Sequence, residues 1–190
     1  MTPVTDVSAA YAAWAGAVTL LTIADGRDDI GVTVSAFCPV SRVPPLVLVS
    51  LIAESYPAEA LARPDAPAFA VTLLSSAQRV LAGRFAAAGR PGARLMLEDI
   101  PHRRGADSGA LIPGNGLAAI ECATEQRVPA GDHLLVVARV VAVHYLAEDG
   151  APLVRFRGRY VQLAPPPGNG APETSSPARQ TAAISGTPGR

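Results

Sequence analysis

The stretch GVTVSAFCPVSRVPPLVLVSL, residues 31–51, decides the fold. Ile30, Val32 and Val34 alternate with Gly31, Thr33 and Ser35, which predicts a β-strand with one apolar face and one face of small or hydroxyl side chains. A polar, small-residue excursion follows and ends at Pro44-Pro45. Residues 46–51 then read as a second, buried strand rich in β-branched residues. A hydroxyl-lined segment between two strands can offer side-chain oxygens and backbone N–H groups to a planar polar ring and a phosphate. The same spacing also describes a plain hairpin edge with solvated Ser and Thr, and spacing alone leaves both readings open.

Upstream, residues 7–14 predict a short helix with Asp6 or Ser8 as cap, and residues 17–24 a strand that turns at Asp25-Gly26 into the strand at Ile30. Downstream, a short helix is expected from Pro57 and a strand over 68–74. Ser75-Ser76 should cap a helix that buries Val80, Leu81 and Phe85 and turns Gln78 and Arg79 elsewhere. Residues 90–115, rich in Gly, Pro and charge, read as mostly loop, a lid or a partner contact. Two long strands, 116–128 and 133–146, flank the turn-forming Pro129-Ala130-Gly131-Asp132, and residues 153–163 read as one closing strand. About seven strands with little βαβ alternation favour an antiparallel barrel with short helices, a mainly β fold, over a doubly wound sheet. From Pro165 the composition collapses to Pro, Gly, Ser and Thr, so residues 1–164 form the expected domain and 165–190 a disordered tail.

At 190 residues with 49% hydrophobic content, the chain is large enough to bury a real core as one domain. Arg and acidic residues balance at 16 each, so no overall field draws nucleic acid or an anionic membrane. All the basic side chains are Arg, which carries no functional message. Cys38 and Cys122 are too few for a disulfide framework, and no C-x-x-C or His-rich spacing offers a metal site. Free thiols, a start without a basic leader and the lack of any long apolar run lead us to expect a soluble cytoplasmic protein. Gly114-Asn115-Gly116 is a turn, not a dinucleotide fingerprint, so a nicotinamide cofactor would not bind here in a Rossmann domain.

Residues 31–51 resemble the signature of the flavin reductase family with an FMN-binding split barrel, a G-x-T-x-S-x-F segment followed by a Pro-Pro-Leu-Val strand. Three later stretches match in the same order: FAVTLLSSAQRVLAGRFA (69–86), AGDHLLVVARVVAV (130–143) and PLVRFRGRYVQL (152–163). The resemblance implies a Greek-key-like split barrel and an NAD(P)H-dependent flavin reductase that supplies reduced FMN or FAD to a partner monooxygenase. It also implies a homodimer with flavin at the subunit boundary. By the same resemblance the flavin ring lies against Thr33, Val34, Ser35 and Ala36. The ribityl chain and phosphate meet Ser50, Leu51 and Ser55, with Arg84 and Phe85 as further cofactor contacts, and His133 faces the flavin and nicotinamide as the implied catalytic residue. Hydride chemistry would reside in the flavin, with the protein supplying orientation and electrostatics.

Several positions depart from the family pattern. Glu54 stands where a neutral or basic residue would suit a phosphate, and like charges about 5 Å apart at an effective dielectric of about 20 repel by roughly 3 kcal/mol. Ala119 replaces a frequent Trp, Ala138 a common Gly, and His102 another frequent Trp. These departures keep two alternatives in view, a repurposed barrel enzyme with its own small-molecule substrate and a non-catalytic flavin-binding barrel. His102 and His144 receive no role, and Cys38 is expected to be small, buried and in a turn.

Overall fold

The computed structural model describes residues 7–163 apart from 27 and 148, so the tail expected at 165–190 lies outside the described residues. Helix α1 (Ser8–Ala12) leads into β1 (Gly16–Ala17), β2 (Thr19–Asp25), β3 (Asp28–Val34), β4 (Phe37–Arg42) and β5 (Pro45–Ile52). Then come α2 (Tyr56–Ala62), β6 (Phe69–Leu73), a 3-10 turn (Ser76–Gln78), α3 (Arg79–Ala86) and α4 (Ala93–Met96). A short pair, β7 (His102–Arg104) and β8 (Leu111–Pro113), precedes the long hairpin β9 (Ala118–Ala130) and β10 (His133–Tyr145), and β11 (Leu153–Phe156) and β12 (Arg159–Gln162) follow.

Seven strands form one antiparallel sheet in the order β3-β2-β6-β9-β10-β5-β4. Its two outermost strands, β3 and β4, are joined only by Ser35 and Ala36. Three Cα steps reach about 11 Å at most, so the sheet must roll until its edges meet. The mainly β antiparallel barrel expected from the sequence is what forms. Its interior is filled by Leu21, Ile23, Val49, Phe69, Val71 and Val136, and Ala58 and Leu61 of α2 join the same cluster. A second cluster packs Leu81, Phe85 and Met96 of α3 and α4 against Leu20 on the outer face of β2. Burial of side chains of this size is worth about 1.5–3 kcal/mol each, which is what holds the two helices on the barrel.

Several expectations need correction. The excursion after Ser35 is a strand: β4 pairs with β5 from Phe37 opposite Val49 to Arg42 opposite Pro45. Pro39 hid it, because a residue without an N–H is tolerated in a sheet at an edge, where β4 lies. Cys38 accordingly sits exposed on a strand. Val7 is the N-cap of α1, and Ser8 lies inside the helix. Residues 153–163 are two strands around Arg157 and Gly158, both with positive φ as a tight I′-like turn requires, and with β1 they form a separate three-stranded sheet. In the helical segment Gln78 is buried and Val80 exposed. Gln78 Oε1 accepts the Ser75 N–H at 3.0 Å and its Nε2 donates to the Gly114 carbonyl at 2.8 Å. Residues 90–115 contain α4, β7 and β8 and bury Ala93, Met96, Leu97, Leu111 and Ile112, so this is a packed excursion and not a free lid.

Gly31 is required where it stands. A Cβ there would overlap the Phe85 ring and lie 3.1 Å from Ala93 Cβ, and Phe85 is wholly buried with nowhere to move. Gly31→Ala should therefore destabilise the fold by about 1–3 kcal/mol, the usual cost of overpacking. A urea midpoint equal to wild type would contradict this packing.

Candidate functional site

Among the described residues β3 pairs with β2 alone, so its other edge is open. Backbone groups alternate along an antiparallel strand, and the Gly31 carbonyl points to the open edge, where Arg90 Nε donates to it at 2.8 Å. By that alternation the N–H and C=O of Asp29 and Thr33 face outward too. The edge is thus a row of main-chain donors and acceptors leading to the exposed Ser35 and Ala36. The Thr33 hydroxyl is not part of that row. It donates to the Ala82 carbonyl of α3 at 2.8 Å, while the Val34 side chain is core.

The next segment closes on this edge. Ser50 N–H donates to the Ala36 carbonyl at 3.0 Å, and the Leu51 side chain points into the barrel. His133 on β10 lies opposite Ile52, as Leu135 lies opposite Ser50, so Ser50, Ile52 and His133 share the outer face. Ala53 N–H donates to the Asp132 carbonyl at 2.9 Å, tying the hairpin tip to the turn that carries Glu54 and Ser55. The tip turns at Gly131, whose φ is +62°. His133 Nδ1 lies 2.7 Å from Asp132 Oδ1, and that hydrogen bond holds the Asp132 carboxyl below its ordinary range.

Beside the open edge lies a cleft of about 690 Å³ whose walls include Asp29, Gly31, Glu54, Ser55, Arg90 and Gly92. The Ser55 hydroxyl is occupied as the cap of α2, donating to the Ile52 carbonyl at 2.6 Å and accepting from Ala58 N–H at 3.4 Å. Asp29 is buried and receives Arg94 Nε at 3.0 Å and Arg104 Nη1 and Nη2 at 2.8 and 2.9 Å. The Arg104 hydrogen bonds, with help from Arg94, outweigh burial and keep the Asp29 carboxyl below its usual range. Arg84 is elsewhere: it pairs with Asp99 at 3.2 Å beside a small separate depression with Gln78 and Asn115. Phe85 is wholly buried under α3. The fold therefore gathers residues 33–36, 50–55 and 131–133, leaves Arg84 and Phe85 outside that group, and adds Arg90, which the resemblance did not single out.

Glu121 is a second buried carboxylate missed in the sequence. Its Oε2 accepts from Ser108 N–H at 2.6 Å, Ser108 Oγ at 2.7 Å and Asp107 N–H at 3.0 Å, and its Oε1 accepts from His144 Nε2 at 2.6 Å. Burial pushes this carboxyl up, but the hydrogen bonds from Ser108, His144 and Asp107 together bring it down to about 2. His144, given no role from the sequence, thus holds the carboxylate that anchors the excursion. Ala119 and Ala138, both wholly buried, fill places in the packing around the sheet. The Cys122 thiol is pushed up to about 12, chiefly by burial, and is inert.

A family model described as flavin reductase like domain matches residues 11–164. An NADH-dependent FMN reductase of Streptomyces nodosus subsp. asukaensis is 38% identical over 149 residues, covering 78% of this chain and 79% of its own. The reductase component of 4-hydroxyphenylacetate 3-monooxygenase from Thermus thermophilus is 34% identical over 157 residues, 83% of this chain and 95% of its own. Among solved structures, the flavin reductase component of a bacterial two-component tryptophan halogenase superimposes with a TM-score of 0.76 at 27% identity, covering 83% and 96%.

The Glu121 carboxyl ionises near 2 in the fold against 4.5 ordinarily, so the stability it adds is complete above about pH 4.5 and is lost as pH falls through 2. That difference corresponds to about 3 kcal/mol. Urea unfolding of the wild type should weaken steeply over this window, and Glu121→Gln should be less stable at neutral pH with a flatter acid limb. Parallel acid limbs for the two proteins would count against this network.

Proposed function

Because this chain belongs to the flavin reductase family, we propose that it oxidises NADH or NADPH and reduces FMN or FAD, with the flavin ring lying along the open edge of β3. The observation that carries this reading is the outer main-chain edge of β3, which pairs with β2 alone and borders the cleft at Asp29, Ile30 and Gly31. A bound flavin supplies the two-electron chemistry, accepting hydride from the nicotinamide. Outward N–H groups of this edge are preorganised donors for charge that develops on the ring, and they need no side-chain acid or base. With Nδ1 donating to the Asp132 carboxylate, His133 keeps Nε2 available to accept from a carboxamide N–H of the hydride donor. The direct assay is NADH and NADPH oxidation with FMN, FAD and riboflavin. Turnover that depends on flavin is expected; binding without oxidation would favour a storage barrel, and no binding a repurposed one. His133→Ala should raise KM for NADH about tenfold, the worth of roughly one hydrogen bond, with a much smaller change in flavin affinity.

A flavin-dependent monooxygenase is the natural recipient, since relatives are reductase components of a monooxygenase and a halogenase. A cytoplasmic setting fits the two free thiols, and among the described residues no helix is long and apolar enough to cross a membrane. A homodimer is supported by the outer face of β5 and β10, where Leu46, Leu48, Ile52, Leu135 and Val137, with Val128 of β9, stand partly or fully open around Ser50. Light scattering should give twice the chain mass at tens of micromolar. A monomer there, or a dimer undisturbed by Leu48→Glu, would overturn this interface.

A further inference from the structure

The cleft beside β3 holds two opposed and unmatched charges, and we propose that Arg90 makes this chain select phosphorylated flavins while Glu54 keeps their hold loose enough for exchange. This rests on the flavin reductase reading above and deepens it: flavin is a passing substrate here, not a resident group. Arg90 is half-buried, and its Nε and Nη1 donate to the Gly31 and Ala87 carbonyls at 2.8 and 3.1 Å. No carboxylate pairs with it among the described residues, and Nη2 has no partner there. Burial without a counter-charge also pulls the Arg90 guanidinium below its ordinary range. A partly desolvated cation left unmatched is a site prepared for an anion from outside. Two backbone carbonyls already fix its orientation, so little side-chain freedom remains to be lost on binding.

The other cations nearby are committed. Arg94 and Arg104 both bind Asp29, so that wall is not a second anion site. Glu54, exposed on the β5–α2 turn, lines the same cleft and forms no ion pair among the described residues. A phosphate in this cleft feels both fields, and the neutral ring and ribityl chain feel neither strongly. The nicotinamide donor carries phosphates too, so the source has to be separated by experiment.

The test is equilibrium titration of the full chain with FMN and riboflavin, followed by flavin fluorescence, and with NAD+, followed by calorimetry, for wild type, Arg90→Gln, Arg90→Lys and Glu54→Gln. Arg90→Gln should weaken FMN at least tenfold and riboflavin less than about threefold, and Arg90→Lys should recover part of the loss, because the charge returns without the two carbonyl bonds that orient it. Glu54→Gln should tighten FMN about tenfold, so that flavin stays with the protein through gel filtration. Both effects should shrink between about 20 and 500 mM salt as screening grows. Equal losses for FMN and riboflavin would show that Arg90 only positions its loop and would overturn the proposal, as would a shift confined to NAD+. Riboflavin-dependent NADH oxidation with no discrimination for FMN would overturn the proposal and leave the reductase reading standing. No flavin binding by any of the proteins, wild type included, would overturn both.

Discussion

Ser35 and Ala36 tether the outermost strands of a seven-stranded sheet, and that tether sets the terms for the rest of the molecule. Six antiparallel steps separate β3 from β4, so the two run in the same direction, and β4 starts where β3 ends. They meet end to end and cannot zip side by side. The sheet is therefore rolled, which buries its apolar inner face, yet it cannot close along β3. The open edge and the closed core have one cause. The outward backbone groups of β3, of which the Gly31 carbonyl is taken by Arg90, meet no second strand because covering them would require a strand that this connection has no length to supply.

The excursion over residues 90–115 is held to the barrel by polar as well as apolar contacts. Asp29 fastens α4 and β7 through Arg94 and Arg104, and Glu121, itself held by His144 of β10, fastens the 105–109 turn through Ser108 and Asp107. Removing one partner of such a group leaves a buried charge uncompensated, which costs about 3–5 kcal/mol. The excursion over residues 90–115 is thus pinned at two acidic points on different strands. Arg90 stays placed in the cleft because its flanks are fixed, with α3 packed on Gly31 on one side and α4 bound to Asp29 on the other.

Where the sequence carried a period, it could be read. Ile30, Val32 and Val34 announced β3, the Gly131 hairpin announced β9 and β10, and Ser75-Ser76 announced the start of the helical segment, where Leu81 and Phe85 are buried as expected and only Gln78 and Val80 exchange places. The misreadings share a different origin. Pro39 masked β4 because its tolerance depends on β4 being an edge, a property of the whole sheet. Thr33 and Ser35 look equivalent in sequence, yet α3 claims the Thr33 hydroxyl and leaves Ser35 exposed. Arg84 and Arg90 are both arginines near a helix end, and only the path of the chain beyond Gly89 decides which one reaches the cleft. Asp29, Glu121 and His144 gave no signal, because a buried carboxylate is recognised by partners 13 to 75 residues away.

Pro39 has a consequence beyond the barrel. The Ala36 carbonyl faces β5, so by alternation the Pro39 nitrogen faces away from the sheet, and the ladder shifts register between Pro39 and Ser41. A neighbouring chain meets a gap in the donor row there, so β4 is a poor template for sheet growth. The edge of β3 carries no proline, and Asp29 gives its charge to arginines in the same molecule. At that end of the sheet the protein blocks strand addition by other means, since Arg90 takes the outward Gly31 carbonyl and Asp29, Ile30 and Gly31 are buried.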